Sequence, residues 1–142
     1  IALHDVVASA VDELRFLRPG STIVHVREGV GSCSADPARL SQLLGNLVSN
    51  AVAYGDPAVP ITVTSVIGPP CAISVHNAGS PIPKELQPQL FEPMTRGDHG
   101  HKGRSVGLGL FIVREIMRAH GGEATVTSTD AGTTITVRWP GT

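Results

Sequence analysis

The sequence has little charge, few aromatic residues and no long apolar run. Charged residues make up 16% and aromatic residues 4% of the 142 positions, and 11 basic against 12 acidic side chains leave a formal net charge of -1. Such a balanced chain has no broad positive field to attract nucleic acid or an anionic membrane. No apolar stretch approaches the roughly 20 residues of a membrane-spanning helix. We therefore expect this chain to contact neither nucleic acid nor membrane.

Cysteine is also scarce, with only Cys33 and Cys71 in the chain. The two do not form a C-x-x-C motif, so their spacing indicates neither a zinc site nor a disulfide framework. We expect reduced cysteines and a cytoplasmic location, which leaves open a membrane anchor elsewhere in a longer parent protein. Because the chain begins at Ile1 without an initiating methionine, we interpret residues 1–142 as a single domain excised from that parent.

The periodicity of the apolar residues predicts three helices and five strands. Asp36 followed by Pro37 is typical of a helix start, since the carboxylate caps the first turn and proline tolerates the unpaired position. The chain order is helix, strand, helix, two strands, irregular segment, helix and two strands, which favours a two-layer α/β sandwich with the helices on one face of a mixed sheet. The predicted helices cover about 3–17, 37–54 and 108–120, and the predicted strands 22–27, 61–66, 71–75, 123–128 and 133–139.

Residues 77–109 interrupt this pattern with recurrent glycine and proline. Long irregular segments are uncommon in compact domains and usually serve a function, so we predict a lid over about 93–106. Arg96 is the first of three cations in it and could neutralise a polyphosphate. For His99 and His101 we favour a solvated loop over a metal pair, because no third ligand lies nearby in the sequence.

The second predicted helix carries three amides on one face, beside its leucines. Gln42, Asn46 and Asn50 are spaced i, i+4, i+8. A polar flank that faces water would explain a single asparagine. Two asparagines one turn apart beside the core favour ligand binding, because an amide oxygen suits Mg²⁺ and its amino group can contact phosphate.

Two glycine motifs complete the candidate site. Asn77-Ala78-Gly79 ends a strand, where glycine would let a flat ring approach the backbone. Gly107-Leu108-Gly109 leads into the third helix, whose free N–H groups could hold phosphate. It does not follow a strand, and no G-x-x-x-x-G-K-[ST] motif occurs, so dinucleotide-binding and P-loop folds are not indicated.

These motifs, in this order, resemble the boxes of the ATP-binding catalytic domain of bacterial sensor histidine kinases, in the GHKL superfamily. The segment 36–51 is similar to the N box, 77–79 to the G1 box, 90–93 to the F box and 107–110 to the G2 box. The resemblance covers nearly the whole chain. It implies a Bergerat-type sandwich that binds Mg-ATP between the second helix and the lid.

The resemblance also implies roles for individual residues. Asn50 corresponds to the Mg²⁺ ligand, and Asn46 to a position held by a water-activating Glu in ATP-hydrolysing relatives. Asn46 and Arg96 are the residues expected to assist phosphoryl transfer. The nucleotide is expected to contact Asn46, Asn50, Tyr54, Asn77, Gly79, Ile82, Phe91, Arg96, Gly107, Leu108, Gly109 and Leu110.

The implied activity is transfer of the γ-phosphate of ATP to a histidine on a separate helical dimerisation domain, which in turn serves a response regulator. Three positions depart from the family pattern: Asn77 replaces an adenine-binding Asp, Ala53 a phosphate-binding Lys or Arg, and Ser105 a Gly. They leave open a nucleotide-binding or docking module without phosphotransfer. A serine kinase of the anti-sigma type, within the same superfamily, is a further alternative.

Overall fold

The described part of the chain forms two layers, a five-stranded sheet and three helices. A computed structural model describes residues 1–93 and 103–142, with side chains for 1–93 and 109–142. The helices are α1 (Leu3–Leu17), α2 (Pro37–Tyr54) and α3 (Gly103–Ala119), and the strands are β1 (Ile23–Glu28), β2 (Ile61–Val66), β3 (Cys71–Asn77), β4 (Glu123–Thr129) and β5 (Gly132–Trp139). The sandwich class, three helices and five strands predicted from the sequence are confirmed.

The sheet is mixed, in the order β1-β2-β3-β5-β4. β1 runs parallel to β2, and every other neighbouring pair is antiparallel. α3 begins at Gly103, five residues earlier than the predicted 108, and most of the predicted lid, Arg96 included, lies outside the described residues. Among the helices described, none is both long and apolar enough to cross a membrane.

Local chemistry sets the ends of α2, the helix with the candidate amides. The Asp36 carboxylate accepts hydrogen bonds from the backbone N–H groups of Ala38 and Arg39 at 3.0 and 3.2 Å, as a helix N-cap does. Gly55 ends the helix in an extended conformation. The helix packs on the sheet through a stripe of fully buried residues: Leu40, Leu43, Leu44, Leu47, Val48 and Ala51.

The cysteines differ from the sequence prediction. Cys33 and Cys71 form a disulfide, with 6.6 Å between their Cα atoms and a separation of 38 in the sequence. The prediction of reduced, unpaired cysteines is wrong because spacing reports only local motifs. Here a long-range backbone contact pairs them: the loop before α2 returns to the start of β3, and Cys33 N–H donates to the Ile1 carbonyl while Ser34 N–H donates to that of Gly141.

Two histidines converge on one buried hydroxyl where α1 meets β1 and β2. His4 Nδ1 and His25 Nε2 lie 2.7 and 2.8 Å from the Oγ of Ser65, whose side chain is fully buried. The other nitrogen of His4 lies 2.9 Å from the Gly29 carbonyl oxygen, which can only accept, so this nitrogen carries the hydrogen. With both rings neutral, His25 donates to Ser65 and Ser65 donates to His4.

We expect His25 to make the domain sensitive to acid. Burial, followed by the charges of Arg27, His4 and Arg15, lowers the pKa of His25 below 6.5, against a small opposite effect of Asp12. Below about pH 6.5, His25 therefore binds a proton more readily in the unfolded chain than in the folded domain. The free energy of unfolding falls as the pH falls for this reason.

Urea unfolding at pH 5.5 and 7.5 measures this effect. His25→Gln keeps a donor for Ser65 but cannot titrate, so the stability loss between the two pH values should be smaller in the variant. If the variant and the wild type lost the same free energy of unfolding between the two pH values, His25 would not be the cause of the acid sensitivity.

Candidate functional site

The two asparagines of α2 occupy the predicted face, and one of them is buried. Asn50 is 4% exposed, Asn46 is half-buried and Gln42 faces solvent. No hydrogen bond between the Asn50 amide and another described residue is found, and its atoms are not among the fully buried side-chain atoms that lack a partner. An amide in this position is able to contact a ligand, and the role of Asn50 as a ligand stays a prediction.

Asn46 joins α2 to the first described residues of the G2 motif. Its Nδ2 donates to the Gly109 carbonyl oxygen at 3.4 Å, a long hydrogen bond across the helix pair. A Cβ built on Gly109 would lie 3.8 Å from the Asn46 side chain, which is an ordinary contact. The glycine is therefore not required by packing against α2 in the described structure.

The opposite end of α2 packs against the strand that ends in Asn77. Asp56 N–H donates to the Ala78 carbonyl at 2.8 Å. Gly79 has φ +146° and approaches α2 so closely that a Cβ on it would lie 2.8 Å from the Tyr54 carbonyl oxygen. Both the conformation and the close approach require glycine here. The motif around Asn77 is thus held against the C-terminal end of α2.

Asn77 presents an acceptor at this end of the site. Its side chain is 5% exposed, and its Nδ2 donates to the Ala78 carbonyl oxygen at 3.1 Å. Since the amino group is used, the Oδ1 atom is left to accept a hydrogen bond from a ligand. An exocyclic amine of a nucleobase is such a donor.

The length of α2 separates these two ends by a distance that suits a nucleotide. Asn46 and Tyr54 are eight residues apart, which corresponds to about 12 Å along a helix axis. Asn50 lies halfway between them, on the face that Asn46 also occupies. A base near Asn77 and Tyr54, with phosphates towards Asn50 and Gly109, would fit this arrangement.

The remaining predicted residues differ in what they can offer. Tyr54 is 39% exposed, and partial burial raises the pKa of its hydroxyl above 10.0, so it stays a neutral group. Ile82 and Phe91 are half-buried. Leu110 is 1% exposed in the core, so only its backbone could face a ligand.

Three predicted contacts cannot be placed as side chains. Gly107 and Leu108 belong to α3, but the surroundings of Gly107, the side chain of Leu108 and the whole of Arg96 are outside the described set. In the parts of the chain that are described, no three His, Cys, Asp or Glu side chains cluster as a metal site would.

Sequence reasoning missed one charged pair beside this site. Arg114 Nη1 on α3 lies 2.6 Å from Glu92 Oε2 in the predicted F box. The two residues are 22 positions apart, and no local spacing rule relates them. The only signal in the sequence was an arginine directly after the apolar residues 110–113 of the predicted helix.

Comparisons with known proteins agree with this geometry. Residues 35–142 match the model of the family described as histidine kinase-, DNA gyrase B- and HSP90-like ATPases. The chain is 42% identical over 95 residues to the sensor histidine kinase GlrK of Escherichia coli K12, covering 65% of this chain and 20% of GlrK. It is 34% identical over 146 aligned positions to the sensor histidine kinase TrcS of Mycobacterium tuberculosis, covering 97% of this chain and 29% of TrcS.

Solved structures show the same fold. The catalytic domain of the histidine kinase ThkA, in a nucleotide-free form, superimposes with a TM-score of 0.80 at 28% identity, over 99% of this chain and 93% of that one. Full-length ShkA in complex with AMPPNP superimposes with a TM-score of 0.81 at 23% identity, over 99% of this chain and 30% of that one.

The fold is a two-layer α/β sandwich, and the chain belongs to the family of histidine kinase-, DNA gyrase B- and HSP90-like ATPases. Within this family it is the ATP-binding catalytic domain of a sensor histidine kinase. The chain spans 20% of GlrK and 29% of TrcS, so most of the length of these relatives lies outside it.

Proposed function

We propose that this domain binds Mg-ATP through the amides of α2 and presents the γ-phosphate to a histidine on a separate helical dimerisation domain. The observation that carries the proposal is the position of Asn50, which is 4% exposed and lies on the same face of α2 as Asn46. The bound Mg-ATP supplies the phosphoryl group and part of the charge that neutralises it.

Each described residue has a defined part in this proposal. The Oδ1 of Asn50 provides a ligand for Mg²⁺, and Asn77 Oδ1 accepts from the amino group of adenine. Asn46, already bonded to Gly109, orients its amide between α2 and the start of α3. Gly79 lets the segment after Asn77 pack closely against the C-terminal end of α2.

The absence of acidic residues from α2 favours a kinase over an ATPase. The helix sequence PARLSQLLGNLVSNAVAY contains neither Asp nor Glu, and Asn46 cannot take a proton from water. With no carboxylate base on this helix, hydrolysis is not promoted, and the phosphoryl group remains for a protein nucleophile. Positioning and charge neutralisation then do most of the catalytic work.

The partner is the helical dimerisation domain of the same parent protein, and through it a response regulator. Both partners are proposals that follow from the likeness to sensor histidine kinases, whose sequences extend well beyond the matched region.

Two measurements test the function. Titration calorimetry with AMPPNP should show binding by the isolated domain that requires Mg²⁺. The domain mixed with the parent's helical dimerisation domain and γ-labelled ATP should then produce an acid-labile, alkali-stable phosphate on the latter. Absence of Mg²⁺-dependent binding would contradict the proposal.

A second candidate function is a nucleotide-binding module without phosphotransfer, and two residues near the proposed site favour it. Asn77 offers a neutral amide where a carboxylate would bind adenine more strongly, and Ala53 places no charge on the exposed face of α2. Mg²⁺-dependent binding without any phosphohistidine would favour this module. Phosphoserine on a separate substrate would instead favour a serine kinase.

A further inference from the structure

In the Glu92–Arg114 pair the arginine is shielded from water, although the Glu92 side chain is 55% exposed. The Arg114 side chain is 19% exposed, and its guanidinium carbon lies 5.4 Å from the centroid of the Phe111 ring. By contrast, the Arg118–Glu115 pair on the same helix has side chains 62% and 45% exposed. Exposed pairs contribute little, whereas a charge-assisted hydrogen bond of restricted geometry contributes more.

The segment that carries Glu92 has a second attachment at its other end. We name residues 82–92 the strap. Ile82 N–H donates to the Ser128 hydroxyl at 2.8 Å, and this hydroxyl lies 2.7 Å from that of Thr133. Thr133 is buried and is the cross-strand partner of Asn77 on β3. The strap is therefore attached next to Asn77 at one end and to α3 at the other.

Interactions inside the strap connect these two attachments. Gln87 Nε2 donates to the Ile82 carbonyl oxygen at 2.9 Å, and a short 3-10 turn spans Gln87–Gln89. Leu90 and Phe91 are half-buried and pack against the core. Loss of the attachment at Glu92 would therefore release the position of Phe91 first.

We propose that Arg114 is a positioning residue for the nucleotide site, which it serves by holding Glu92 and with it the strap. Arg114 is five residues beyond Gly109 on α3, about 7.5 Å along the helix axis, so it links the strap to the helix that Asn46 contacts. Its Nη1 is bonded to Glu92, the guanidinium lies over the Phe111 ring, and Nε is 3.6 Å from Glu115 without a hydrogen-bond partner among the described residues. Arg114 thus acts on the nucleotide through the strap. This inference rests on the proposed function.

The test compares single, double and swapped variants by their dissociation constant for Mg-AMPPNP. Arg114→Gln and Glu92→Gln should each weaken binding by roughly tenfold, the loss expected for one charge-assisted hydrogen bond. The double variant should bind no more weakly than either single one, because both remove the same contact. Exchange of the charges, Glu92→Arg with Arg114→Glu, should restore part of the affinity.

Two controls separate positioning from a general loss of stability. Arg118→Gln removes the exposed ion pair of the same helix and should leave the dissociation constant within twofold of the wild type. Affinities are measured well below each variant's unfolding midpoint, so a purely structural role would lower Tm and leave affinity unchanged. Glu92→Gln alters an exposed carboxylate, and it provides the test if Arg114→Gln does not fold.

The outcomes distinguish this inference from the proposed function. If Glu92→Gln and Arg114→Gln bind like the wild type while Asn50→Ala does not bind, Arg114 has no positioning role and the nucleotide site stands. If Asn50→Ala binds like the wild type, the proposed function fails, and the inference fails with it.

Discussion

Asn50→Ala should weaken Mg²⁺-dependent binding of AMPPNP by a hundredfold or more. In metal sites, mutation of residues that only support the direct ligands already lowers metal affinity by about 10–100-fold. Loss of a direct ligand is expected to have at least the larger of these effects. The alanine variant would lack the oxygen that we assign to Mg²⁺, and no carboxylate on α2 could replace it. Binding in the absence of Mg²⁺ should change much less.

The same substitution should leave the folded domain intact. Asn50 is 4% exposed, and its amide has no hydrogen bond in the part of the chain that the structure describes. Loss of the amide breaks no hydrogen bond to another described residue, and the better helix propensity of alanine offsets part of the cost of a small cavity. We therefore expect the unfolding free energy of the ligand-free variant to stay close to that of the wild type.

Gln42→Ala is the matched control for Asn50→Ala. Gln42 is an amide two turns earlier on the same helix face, but it is exposed to solvent. Its alanine variant should bind AMPPNP like the wild type in calorimetry. Equal weakening by both substitutions, or a large loss of stability in Asn50→Ala, would contradict the assignment of Asn50 as a ligand.

Reduction of the Cys33–Cys71 disulfide should lower the free energy of unfolding by about 4 kcal/mol. The two cysteines are 38 positions apart, and closing a loop of that length restricts the unfolded chain by about this amount in the chain-entropy model. For a domain whose total stability is about 5–15 kcal/mol, this is a large fraction. Urea unfolding with and without reductant measures it.

The effect on the nucleotide site should be much smaller than the effect on stability. Cys33 lies just before the N-terminal cap of α2, whereas Asn50 is in the fourth turn of that helix. The Cys33→Ser and Cys71→Ser double variant should be as stable as the reduced protein, and reductant should not change its free energy of unfolding. Its dissociation constant for AMPPNP should lie within about twofold of that of the wild type. Equal stabilities with and without reductant would mean that the bond does not restrict the unfolded chain.

Much of the fold follows from short-range chemistry. The Asp36-Pro37 pair predicted the start of α2, and the structure confirms the Asp36 cap. The boundaries of β2 were also predicted without error, since turn residues flank an alternating apolar run. Such signals depend on neighbours within a few residues, and the sequence contains them in full.

The start of α3 was the least accurate helix boundary. Glycines at 107 and 109 led us to begin the helix at 108, whereas it begins at Gly103. Glycine disfavours helix by about 1 kcal/mol per residue, yet Gly107 and Gly109 both lie within α3. Propensity alone therefore placed this boundary too late.

Contacts between distant residues account for what the sequence could not predict. The amide pattern of α2 indicated a ligand site, but it did not distinguish the buried Asn50 from the exposed Gln42. The disulfide, the Glu92–Arg114 pair and the histidines around Ser65 all join residues far apart in the chain. Each arises from the topology of the sheet and helices, which bring these side chains together.

A crystal structure of the domain with Mg²⁺ and AMPPNP tests the central claim most directly. We expect Mg²⁺ at about 2.0–2.1 Å from Asn50 Oδ1, the usual distance for an oxygen ligand, with the adenine amino group donating to Asn77 Oδ1. A nucleotide bound elsewhere, or a Mg²⁺ ion held without Asn50, would contradict the account.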